Sequence, residues 1–230
     1  MTLDSEEIIE EINDIYEEFD IPQNLREHMM RVAGAVALIC DNWKGSKINK
    51  DDVVAAALLH DLGNVVKYDL SPEGRRLVGD DSDSDVETLK ELQQKMITKY
   101  GKDADAASAK MAQEAGVNER VLELIAENGI DHIEDTANSN DMERKILKYC
   151  DLRVLPGGIG SLDERFEDAR VRYSTQNVFA KALDENQLIA WKETANRIET
   201  DIFKNVKKGF KPGSITDKSV SKYIEEFMSE

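Results

Sequence analysis

Apolar residues recur three and four positions apart along almost the whole chain, as in Ile8, Ile9, Ile12, Ile15, Tyr16 and Phe19 of the first segment. That spacing gathers side chains on one face of an α-helix. No convincing two-residue alternation interrupts it, so the pattern predicts an all-α protein. A helix over 4–19 opens the chain. Pro22 suits the first turn of a second helix, 22–43, with Val32, Val36 and Ile39 on its apolar side. The stretch KINKDDVVAAALLHDLG predicts a third over 50–62, which its Ala, Val and Leu content buries on most faces and Gly63 stops. Residues 69–84, DLSPEGRRLVGDDSDS, read as a loop and a candidate mobile flap. Beyond it, Ser84 and Glu87 have capping-box spacing, Gly116 and Gly129 stand where helix C-caps belong, and Asn140 can cap a helix over 140–155. Ser161 and Glu164 form a second capping box, opening helices over 161–183 and 185–208, with a short one after Thr216.

With 40% hydrophobic and 33% charged residues among 230, the chain has a globular composition. Without an internal repeat or a linker, a single domain over 1–230 is expected, with the N-terminal helix and the C-terminal helices of 161–228 packed on a central core. The formal net charge of −17 repels polyanions, which argues against a long nucleic acid or an anionic membrane as partner. A small phosphorylated molecule stays open, because a bound divalent cation reverses the potential locally. The start, MTLDSEEIIEEI, lacks a basic segment followed by an apolar one, and no apolar run is long enough to span a bilayer, so a cytoplasmic location is expected. Cys40 and Cys150 form no CxxC and read as reduced thiols. Nothing here speaks to oligomeric state.

Of the three histidines, His28 and His60 sit in helices dominated by apolar residues. A lone histidine there is ordinarily a core side chain satisfied by hydrogen bonds. Asp61 alters the balance: it sets a carboxylate beside an imidazole at the end of a hydrophobic helix, where an unpaired charge is costly and a divalent cation would satisfy both groups. Neighbouring helix residues diverge by ~100°, so a consecutive pair reaches one ion only at a helix end, which Gly63 supplies. Further ligands must come from elsewhere in the chain.

The segments REHMMRVA at His28, ALLHDLGN at His60 and Asp61, and KILKYCDLRV at Asp151 resemble the HD superfamily of metal-dependent phosphohydrolases over roughly residues 22–156. The resemblance implies an HD-domain helical bundle with additional C-terminal helices, in which helices near 22–43, 50–62 and 140–155 converge. It also implies metal ligation by His28, His60, Asp61 and Asp151. Two imidazoles and two carboxylates suit one ion of manganese, iron, cobalt, nickel or magnesium better than calcium. The activity implied is hydrolysis of a small phosphorylated metabolite or nucleotide, a phosphomonoester or phosphodiester, by a metal-bound hydroxide.

Branches with two metals use additional histidines, for which only His132 is available, so a single-metal site is favoured. Where the nucleotidase branch has an acid, three positions after Asp61, stands Asn64, which cannot exchange a proton but can orient a water or a phosphoryl oxygen. This keeps a second reading open, a noncatalytic sensor that binds metal and ligand. Lys67 is a candidate partner for a phosphate, or a solvent-facing lysine. Arg75 and Arg76 in the flap, and Arg153 after Asp151, are candidate substrate clamps, or structural ion-pair partners. Glu27 is a candidate hydrogen-bond partner for His28, and the PGGIGS turn a candidate phosphate cradle. The run DDSDSDVE lacks the glycine and terminal acid of a calcium loop.

Overall fold

The structure, a computed structural model, describes residues 4–72, 74, 86–174 and 184–229. Of the expected flap over 69–84, only 69–72 and 74 are described; Arg75 and Arg76, the Ser84 cap and most of the acidic run lie outside the described residues.

The first segment folds as two helices, α1 (Ser5–Glu10) and α2 (Ile12–Glu18), where the periodicity predicts one. The backbone at Glu11 leaves helical geometry, yet Ile8, Ile12, Ile15 and Tyr16 still bury one continuous face. The Tyr16 hydroxyl donates to the Leu58 carbonyl at 2.6 Å and so satisfies one of the orphan carbonyls in the last turn of the helix that ends at Leu59. Pro22 caps helix α3 (Gln23–Asp41) from one residue outside it.

Helix α4 (Lys50–Leu59) is the hub. From Val53 to Leu59 every side chain is buried, so the helix has no solvent face beyond its first turn; α1, α3 and two later helices surround it. Full burial of each Val or Leu is worth roughly 1.5–3 kcal/mol, which makes this run the anchor of the core. The helix stops at His60 and a 3₁₀ segment, Leu62–Lys67, follows. Gly63 permits the change of direction: a Cβ there would lie 2.5 Å from the Ser108 nitrogen and 2.7 Å from the Ala104 carbonyl oxygen. Its N–H donates to Ser108 Oγ at 2.9 Å, locking the segment onto a neighbouring helix.

The chain continues through α5 (Val86–Tyr100), α6 (Ala104–Glu114), α7 (Glu119–Ala126), a 3₁₀ turn at Ile130–His132, α8 (Ile133–Asn138) and α9 (Met142–Arg153). Gly116, with φ of 84°, follows the C-cap of α6, and Asp141 rather than Asn140 caps α9, accepting from the Arg144 N–H. A short hairpin pairs β1 (Val154–Leu155) with β2 (Gly158–Ile159); with an isolated bridge between Trp43 and Val206 it makes up the β-structure among the described residues, too short to leave a periodic trace. Helix α10 (Leu162–Ser174) opens with the reciprocal Ser161–Glu164 bonds, and α11 (Glu185–Phe203) and α12 (Asp217–Met228) complete the bundle. No helix among the described residues is long and apolar enough to cross a membrane.

Candidate metal centre

Packing of α3, α4 and α9 brings three separate stretches of sequence to one point. His28 comes from the first turns of α3, His60 and Asp61 from the end of α4, and Asp151 from the last turn of α9. His28 Nε2 lies 3.5 Å from Asp61 Oδ2 and 3.3 Å from Asp151 Oδ1. His60 Nε2 lies 3.7 Å and 3.4 Å from the same two oxygens. The imidazole centroids are 5.4 Å apart, and His28, His60 and Asp61 each offer a ligand atom within 4.8 Å of the others.

The donor set fits a divalent cation on two counts. Both Nε2 atoms are buried and have no hydrogen-bond partner, which is costly for a polar group unless something else satisfies it. The imidazole–carboxylate spacing is also that of ligands sharing an ion, since bonds of about 2.1 Å put neighbouring ligand atoms about 3.0 Å apart at right angles and about 3.4 Å apart at tetrahedral ones. The mutually close group is His28, His60 and Asp61, and Asp151 joins it through its contacts to the two imidazoles. His60 Nδ1 is 2.8 Å from the Ala57 carbonyl, which fixes the proton on Nδ1 of the neutral ring and turns the Nε2 lone pair toward the cluster.

The two carboxylates also favour a proton on His60. Burial pushes the His60 imidazole down, but the Asp61 and Asp151 carboxylates and the Ala57 carbonyl outweigh it and hold its pKa up at about 9. Burial works to raise Asp151, yet the two imidazoles hold its carboxyl well below the usual range.

These groups line a cavity of about 590 Å³. Asn64 lines it, with a buried Oδ1 that has no partner, and Lys67, otherwise exposed, borders it. Arg153 does not reach it. That guanidinium is buried on the far side of α9, over the Tyr149 ring, where it donates to the Tyr149 hydroxyl and to the Gly160, Pro212 and Ile215 carbonyls. It ties the hairpin to the start of α12 and has no donor left for a ligand.

The PGGIGS turn forms no phosphate cradle. The N–H groups of Ile159, Gly160 and Ser161 donate to Asp217, the Arg153 carbonyl and Glu164, and two of those acceptors are carboxylates that repel an anion. Glu27 accepts from Gln23 and Arg31 rather than from His28. His132 is exposed and outside the cluster.

Several cavity residues escape sequence reasoning. Lys148, one turn before Asp151, is buried against the carbonyls of Asn128 and Gly129, and burial lowers its pKa to about 8. Its spacing of three from Asp151 was the available signal. The apolar lining of Leu155, Phe166, Ala169, Leu188 and Trp191 comes from the hairpin, α10 and α11, and Arg165 of α10 lines the cavity with it. No sequence pattern marks these as site residues.

A family model described as HD domain matches residues 25–153. No curated protein and no solved structure matches the chain.

Proposed function

The chain belongs to the HD domain family, whose members bind divalent metals and are generally metal-dependent phosphohydrolases, and from that premise we propose that it hydrolyses a phosphate ester of a small molecule. One observation carries the reading: two buried imidazole nitrogens without partners face two carboxylate oxygens in the lining of a cavity large enough for a small metabolite. His28, His60, Asp61 and Asp151 would hold one ion, of manganese, iron, cobalt, nickel or magnesium. When bound, such an ion supplies a Lewis acid for a phosphoryl oxygen and lowers the pKa of a water.

The remaining work falls to the chain. Asn64 Oδ1 accepts a hydrogen bond from the attacking water and orients it without taking its proton. Lys67 and Arg165 bring positive charge to the phosphoryl oxygens, against the field of an acidic protein. The apolar wall holds the alcohol portion of the ester and excludes water, so a substrate with a flat or bulky apolar part fits better than a small sugar phosphate. Asn64 also supports a second reading, since a site without a proton-accepting side chain at that position suits a sensor that binds metal and ligand without turnover.

A panel of phosphomonoesters and phosphodiesters, run with each metal on chelator-stripped protein, separates the two. Phosphate release that EDTA abolishes and added metal restores is the expected result. Saturable ligand binding with no release under any metal would leave the sensor reading.

A further inference from the structure

We propose that Asn128 is a positioning residue that makes Asp151 a one-oxygen ligand and so sets which cations the site prefers. The proposal builds on the metal-binding reading above. Asp151 presents Oδ1 to the two imidazoles, 3.3 Å from His28 Nε2 and 3.4 Å from His60 Nε2. Its other oxygen, Oδ2, accepts from the Asn128 side-chain amide at 3.2 Å. An N–H donor on one carboxylate oxygen competes with a cation for that oxygen's lone pairs and so favours ligation through its sibling alone.

Asn128 is itself held rigidly, although it lies in the loop after α7. The buried ammonium of Lys148 donates to the Asn128 carbonyl and, at 2.7 Å, to the Gly129 carbonyl. On the other side the loop is pressed against Asp105, whose Oδ2 would lie 2.6 Å from a Cβ at Gly129. These contacts anchor the backbone on both sides of the Asn128 side chain, whose amide lies within hydrogen-bond distance of Asp151. Lys148 and Asp151 are one turn apart on α9, so the same helix supplies both the ligand and the clamp on the residue that orients it.

The consequence is selectivity. Small cations with few protein ligands accept one oxygen per carboxylate, whereas calcium takes six to eight oxygens and favours two-oxygen carboxylates. Removing the Asn128 donor frees Oδ2 to join Oδ1. The test uses the full chain, stripped of metal, as wild type, Asn128→Ala and Asn128→Leu, titrated calorimetrically with Mn²⁺ alone and with Ca²⁺ alone; the far-UV spectrum and melting curve check the fold. Mn²⁺ affinity is expected to fall by about 10- to 100-fold in both variants, the range for loss of a hydrogen-bond partner of a ligand. The ratio of Ca²⁺ to Mn²⁺ affinity is expected to rise. An unchanged Mn²⁺ affinity overturns the proposal, and so does an equal fall for both ions, which would mean a general loosening of the site. Wild-type protein that takes up no divalent cation would defeat the metal reading as well; wild-type uptake with an unchanged ratio in the variants defeats this inference alone.

Discussion

Asp61 is the residue at which a metal ligand and a structural acid forecast different behaviour. Its side chain makes no capping bond to the 3₁₀ segment it precedes, and the imidazole nitrogens of His28 and His60 lie 3.5 Å and 3.7 Å from it. An ion present at a thousand times its dissociation constant stabilises the folded state by about 4 kcal/mol. For a chain of this size, with roughly 2–4 °C per kcal/mol, that is a rise in Tm of roughly 8–16 °C. Asp61→Ala removes a charged ligand, and a loss of about 100-fold in affinity leaves the ion at ten times its dissociation constant, worth about 1.4 kcal/mol. The metal-induced rise should then shrink to roughly 3–6 °C. With chelator at pH 7, His60 is protonated and pairs with Asp61, so the variant loses at most about 1 kcal/mol, because the carboxylate is partly exposed. Above pH 9, with His60 neutral, the two carboxylates only repel, and the same substitution becomes neutral or stabilising. Differential scanning calorimetry of wild type and Asp61→Ala, with EDTA and with Mn²⁺, reads all of this. Equal metal-induced shifts in the two proteins would refute ligation by Asp61.

Metal binding should release close to one proton near pH 7, since His60 is protonated without the ion; apparent Mn²⁺ affinity should climb with pH and level off above about 9, and a flat profile from 6 to 9 would contradict it. The same raised pKa means that His60 stabilises the metal-free fold fully below its unfolded value of ~6.5. That contribution disappears as pH rises through about 9, so the Tm in EDTA should fall over that window. Trp191→Ala should raise KM for an aryl phosphate severalfold with little change in kcat, because the residue lines the cavity and is none of the four expected metal ligands; equal kinetics for aryl and sugar phosphates in both proteins would remove it from substrate binding. Gly63→Ala should destabilise by about 1–3 kcal/mol or more in chemical denaturation, since the added methyl meets the Ser108 and Ala104 backbone rather than a movable side chain.

Much of the fold is legible in the chain because burial writes a 3.6-residue period into a helix that has one wet side. Helices α3, α4 and α9 fall within a few residues of where the spacing puts them, although α4 stops at Leu59 rather than at Gly63, which falls inside the 3₁₀ segment that follows. The candidate site was legible in part for the same reason: a His-Asp pair closing an apolar helix conflicts with its surroundings, and the conflict is visible without coordinates. Helical geometry alone could also have sorted the neighbours of Asp151. Arg153 is about 200° around the helix from it and so faces away, whereas Lys148 is about 60° from it and shares its side. What the sequence does not contain is the relative rotation of helices far apart in the chain. Only the packing of α3 and α9 against α4 decides that His28 and Asp151 meet at His60, that Asn128 from the loop after α7 reaches the second oxygen of Asp151, and that α10 and α11 close the cavity with Phe166, Leu188 and Trp191. Periodicity fixes which face of each helix is buried, but it is the interlocking of side chains between helices that selects the partner and the angle.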